Sequence, residues 1–175
     1  MAFPLPLGDV LDIIPAIIPV DLDTGANTGD YVNLANAAGV LVVFYKGAGT
    51  AGQDPILVVH QATDKTGTGL KDLAAVRRVF LKQHAGLLAA GSTWSETTAD
   101  AVPGATYTMN ATAAEEQGLV AFYIDASLMD VANGFDWMNL TIADVGGNPQ
   151  LGGALYILVG LSYPSAPAQL GSAVS

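Results

Sequence analysis

The stretch GVLVVFYK, residues 39–46, decides how this chain folds. It is an unbroken run of β-branched and aromatic side chains, with no alternation between apolar and polar positions. Alternation marks a strand with one wet face, whereas its absence marks a strand covered on both faces. Downstream, PILVVHQA (55–62), GLVAFYID (118–125) and GALYILVGLSY (153–163) have the same character. WMNLTIAD (137–144) alternates cleanly. Each run is short and bounded by Gly, Asn, Asp or Thr, residues that turn a chain.

Working outward, AVRRVFLKQ (75–83) reads as a strand with Arg78, Phe80 and Lys82 on one face and Val79 and Leu81 on the other. Ile13–Val20 (IIPAIIPV) must be extended, because Pro15 and Pro19 cannot sit inside a helix but are tolerated at a sheet edge. Shorter strands are expected at 31–34 and 107–110, and one helical turn over 127–133 before Gly134. The pattern amounts to about eight or nine strands with no helix of convincing length. It predicts an all-β protein, a jelly-roll-like β-sandwich with an extended N-terminal arm. The weakly patterned connection 84–106 is too long for an up-and-down barrel. The expected division is a Pro-rich arm (1–20), a sandwich (21–163) and a low-complexity C-terminal tail (164–175).

Composition then poses a problem. The 175 residues are 51% hydrophobic and only 13% charged. A β domain of this size cannot bury so many apolar side chains and still clothe itself in polar ones. Contact with other chains is the expected outlet. With 16 acidic against 6 basic residues the net charge is −10, which disfavours nucleic acid and anionic membranes. Cysteine is absent, so disulfides, thiolate ligands and cysteine nucleophiles are excluded. The apolar N-terminus contains no Lys or Arg and is broken by Pro4, Pro6, Pro15 and Pro19, unlike a secretory signal. No apolar run reaches the length of a membrane span, so a soluble protein is expected. All six basic residues fall between Lys46 and Lys82, a segregation suited to contact with an acidic partner.

The chemical motifs are weak. Gly47-Ala-Gly49-Thr-Ala-Gly52 matches GxGxxG, but a strand follows it where a dinucleotide site needs a helix, so it reads as a glycine-rich hairpin. Asp21, Asp23, Gly25, Asn27 and Asp30 space oxygen ligands as a calcium loop does, yet Val32 stands where an EF-hand needs Glu. An Asx-rich turn is the simpler reading. His60 and His84 are the only histidines, and His60 lies within a strand. Ser92 and Ser95 sit in no nucleophile elbow. Glu115 and Glu116 diverge on a turn, and Glu96 and Asp100 have no evident partner. No catalytic, cofactor-binding or metal-binding residues are therefore expected. Among aromatics that could stack on sugars, Trp94 in GSTWSET is the best placed, ahead of Trp137 and Tyr107.

Three stretches, NTGDYVNL (27–34), GAGTAGQDPILVVHQATDKTGTGLKDL (47–73) and GFDWMNLTIADVGGNPQLGGALYILVG (134–160), resemble a family of tailed-bacteriophage virion proteins. The similarity spans about residues 13–163, nearly the whole chain. The resemblance implies a head decoration, or cement, protein with a jelly-roll fold, one that trimerises on the capsid exterior and bridges neighbouring capsomers. It supplies no catalytic residues. The expected partners are further copies of this chain, as a homotrimer, and the phage major capsid protein, on a particle assembled in the host cytoplasm. The residues expected to make these contacts are Phe3, Leu5, Leu7, Ile13 and Ile14 of the arm, Arg77, Arg78 and Lys82 of the basic stretch, and Trp94. Two alternatives stand beside this reading: a tail or collar component, and a glycan-binding module built on Trp94.

Overall fold

The computed structural model describes residues 7–8, 10–84, 93–98, 104–109 and 115–162. They form a β-sandwich of two antiparallel sheets. Twelve strands follow in order: β1 (Leu11–Asp21), β2 (Asn27–Thr28), β3 (Val32–Asn33), β4 (Gly39–Lys46), β5 (Ile56–Ala62), β6 (Lys71–Asp72), β7 (Arg78–His84), β8 (Ser95–Thr98), β9 (Thr106–Thr108), β10 (Gln117–Asp125), β11 (Trp137–Ile142) and β12 (Leu151–Val159). Two 3₁₀ turns, Ala126–Leu128 and Val131–Asn133, follow β10 and stop at Gly134, which is left-handed at φ 82°. Among the described residues no helix is long and apolar enough to cross a membrane.

The larger sheet runs β1-β12-β4-β10-β7-β8 and the smaller β2-β11-β5-β6, with β3 also on β11 and β9 also on β5. The chain crosses between the sheets from β1 to β2, from β3 to β4, from β4 to β5, from β6 to β7 and at each step from β8 to β12, and the last strand lies between the first and the fourth. That interleaving is the jelly-roll arrangement, with the β7–β8 pair widening the larger sheet.

The run 39–46 lies, as β4, inside the larger sheet, bonded to β12 on one side and β10 on the other. Its Val40, Val42 and Phe44 point inward and are fully buried. They meet Val120, Phe122 and Ile124 of β10, and across the sandwich Leu57, Val59, Met138 and Leu140, all fully buried. Tyr156 on β12 belongs to this core, and its hydroxyl accepts a hydrogen bond from the Leu140 amide at 2.7 Å. Leu140 lies opposite the gap between β2 and β3, so that amide has no ladder partner there and the other sheet supplies one.

Three expectations need correction. The boundary placed at 20/21 falls inside β1: Leu11–Asp21 pairs with β12 from Leu11↔Val159 to Asp21↔Leu151 and belongs to the sandwich. The prolines fit because β1 is an edge strand, irregular between Pro15 and Val20. The glycine-rich loop 47–52 is no hairpin, since β4 and β5 belong to different sheets and the loop carries the chain across the sandwich. Glu96 is not isolated. It lies on β8 opposite Phe80 and grips Arg78.

Candidate functional site

A strand inside a sheet has two faces, and the middle of the larger sheet is apolar on its outward face as well as on its inward one. Register places Pro15, Leu155, Val43, Ala121 and Phe80 in one cross-strand row. The next row holds Ile13, Ile157, Leu41 and Tyr123. Every one of these side chains is exposed or only half-buried, Ile13 at 50% and Tyr123 at 43%, whereas their inward neighbours on β4 and β10 are at 0%. Two tyrosines lie across glycines of the same face: Tyr123 over Gly39 and Tyr45 over Gly153. Aromatic rings covering cross-strand glycines flatten the surface and restore the packing that a missing side chain forfeits.

One edge of this face carries charge. Arg78 and Lys82 project outward from β7 on either side of Phe80, while Val79 and Leu81 enter the core. The Arg78 guanidinium sits 5.4 Å from the Phe80 ring centre and bonds both oxygens of Glu96, at 2.6 and 2.9 Å. That grip holds the Glu96 carboxyl below the usual carboxylate range. Lys82 lies 6.0 Å from the ring centre of Trp94, which is 48% exposed. Between β7 and the start of the first 3₁₀ turn, Ala75, Arg77, Arg78, Phe80, Tyr123, Asp125, Ser127 and Leu128 enclose a groove of about 410 Å³. The Asp125 carboxylate accepts from the Ser127 amide at 2.8 Å; the Ser127 hydroxyl, that amide and the charge of Arg77 together lower its pKa.

The six basic residues do not make one stripe. Lys46 ends the inward column of β4 and is 5% exposed, its ammonium donating to the carbonyls of Glu116 at 2.7 Å and Gly47 at 3.0 Å. Burial pushes that ammonium down to about 8, against the opposite pull of Asp54 and Glu116. Lys71 belongs to the smaller sheet, where it pairs with Asp130 at 2.5 Å and covers the Phe135 ring. Only Arg77, Arg78 and Lys82 share the edge of the apolar face.

Of the expected contact residues, Ile13 lies on the outward face and Leu7 is 40% exposed. Ile14 points the other way and is core, at 4% exposure, because adjacent residues of a strand face opposite sides. Phe3 and Leu5 lie outside the described residues. Tyr107 is buried, which removes it from the aromatics that could meet a sugar, and Trp137 is half-buried. Sequence reading missed that the outward residues of β4, β10 and β12 form one surface. The uninterrupted apolar runs contained that signal, but only the strand order assembles it.

The remaining motifs resolve into structural roles. His60 is a sheet residue whose Nδ1 lies 3.0 Å from Asp72. The Asp21 carboxylate accepts from the Gln150 amide at 2.7 Å, tying the 21–30 loop to the start of β12. The Ser95 hydroxyl donates to the Leu81 carbonyl at 3.2 Å. Among the described residues no group of three His, Cys, Asp or Glu is placed to hold a metal ion. No protein-family model matches this chain, and no curated protein matches it either.

Proposed function

We propose that this chain is a non-enzymatic structural subunit whose working surface is the outward face of the larger sheet, used to pack against other subunits of an assembly. The observation that carries the reading is the two-row apolar surface from Ile13 and Pro15 on β1 to Phe80 on β7. Five strands spaced about 4.8 Å apart, with two outward rows that each take up about 6.6 Å of strand, give a patch of about 20 by 13 Å, or about 260 Å². A contiguous apolar patch of a few hundred Å² is about the most that a single soluble chain leaves exposed, and such patches are often contact sites. The assembly we propose is a phage particle, in keeping with the virion resemblance, with the protein as a capsid decoration subunit. It would associate as a trimer on the capsid exterior, bridge major capsid subunits and hold the shell against the pressure of its contents. The edge formed by Arg77, Arg78 and Lys82 would meet acidic capsid surface.

Sedimentation tests the central claim. The wild-type protein is expected to sediment as a trimer at micromolar concentration, and Val43→Glu, at the centre of the face, as a folded monomer with an unchanged far-ultraviolet spectrum. A wild-type protein still monomeric at about 100 μM, where any contact stronger than about 5.5 kcal/mol already shows, would sink the reading. Charge reversal at Arg77, Arg78 and Lys82 should lower occupancy on purified shells and flatten its salt dependence.

A further inference from the structure

We infer that the groove between β7 and β10 is a socket for one short segment of a partner protein, a carboxylate side chain followed by a large apolar or aromatic one. The inference rests on the sheet-face reading only for the existence of a partner. The groove's own chemistry supplies the rest. The Arg78 charge is matched within the chain, both of its bonds going to Glu96. Arg77 is different: it lines the groove, is exposed, and forms no hydrogen bond or ion pair with any described residue. Its charge reaches Asp125 without a direct bond, and that carboxylate is already capped by the Ser127 amide.

Beside that unbonded guanidinium lie Phe80, Tyr123, Leu128 and Ala75, a wall able to take an apolar side chain. A volume of about 410 Å³ has room for two side chains of a peptide. A guanidinium presents a planar fork to a carboxylate, so the acid is read by geometry as well as charge. On a protein of net charge −10, such a point selects where an acidic partner can approach. Phe80 and Tyr123 also belong to the apolar face, so a segment seated here extends that contact. The extension matters, because about 260 Å² is a third of what each partner buries in a standard stable interface.

The test uses the full-length protein and a blocked hexapeptide, acetyl-Gly-Ser-Asp-Phe-Ser-Gly-amide, followed by amide chemical shifts. Saturable binding is expected, with shifts confined to the groove. Arg77→Gln, or Asn in place of the peptide's Asp, should weaken it about tenfold or more, the range of one lost charge-assisted bond. Arg78→Gln should weaken it no more than about threefold, since Arg78 is already engaged. No saturable shift at 10 mM peptide (about the weakest contact worth naming) overturns the inference, as does equal loss from both arginine variants. If Arg77→Gln instead dissociates the trimer, the occupant is a second copy of the chain and the inference also fails. A monomeric wild type that nevertheless binds the peptide would sink the sheet-face reading and leave this one standing.

Discussion

Taking this protein from pH 7 to pH 10 is expected to make it harder to unfold, although its net negative charge grows over the same interval. The cause is Lys46, whose ammonium burial pushes down from 10.5 to about 8. Between those values the unfolded chain binds a proton that the folded chain has released, so unfolding becomes less favourable as the pH rises. At about 1.4 kcal/mol per pH unit, the interval sets a ceiling of about 3 kcal/mol on the gain. The two carbonyl bonds of Lys46, to Gly47 and Glu116, work against the loss of the proton and reduce that gain. Urea midpoints at pH 7, 8, 9 and 10 read the effect directly. Lys46→Met should abolish the rise and, at pH 7, match or exceed the wild type. Above pH 10 the sign reverses. Burial raises the phenols of Tyr156 and Tyr107, so the folded chain keeps protons that the unfolded chain loses. A wild-type curve that is flat or falling from pH 8 to 10 would refute the argument, and so would the same rise in Lys46→Met.

Two further perturbations test the packing. Tyr156→Phe removes the hydroxyl that accepts from the Leu140 amide, stranding a buried donor at a cost of about 1–3 kcal/mol in urea unfolding; a change under about 0.5 kcal/mol would mean the amide finds another partner. Gly39→Ala would drive a methyl group into the Tyr123 hydroxyl and the Ile124 carbonyl, and the backbone there is fixed between Asp125 and Val159. It should lower the melting temperature through a loss of about 2 kcal/mol or more, and an unchanged melting curve would show that Tyr123 swings aside at no cost.

Much of the sandwich is legible along the chain because strands announce themselves by period and by their flanks. The run 39–46 maps onto β4 residue for residue, and the alternation of 78–82 gives the correct two faces of β7. What strand patterns do not encode is the neighbour. The loop after Lys46 has hairpin composition, yet it crosses between sheets, since glycine permits both paths. Pro15 and Pro19 mark an edge strand as well as they mark an arm, and pairing with β12 settles it. The candidate site was harder still. Arg77, Arg78, Lys82 and Trp94 could be named from composition, but the surface beside them joins residues from five strands far apart in sequence. Lys46 shows the opposite limit, as a cation that seemed one of a group and instead closes the core.

The seat of β12 between β1 and β4 has a consequence for synthesis. As the polypeptide leaves the ribosome, β1 waits through more than a hundred residues for the strand that bonds it, and β4 waits with one margin bare. Non-local closure of this kind is slow, and it exposes sticky margins to other nascent chains. The larger sheet becomes whole only when Leu151–Val159 slides in as its penultimate member. A translation product cut short before that strand is expected to be insoluble, rather than a smaller version of the same molecule.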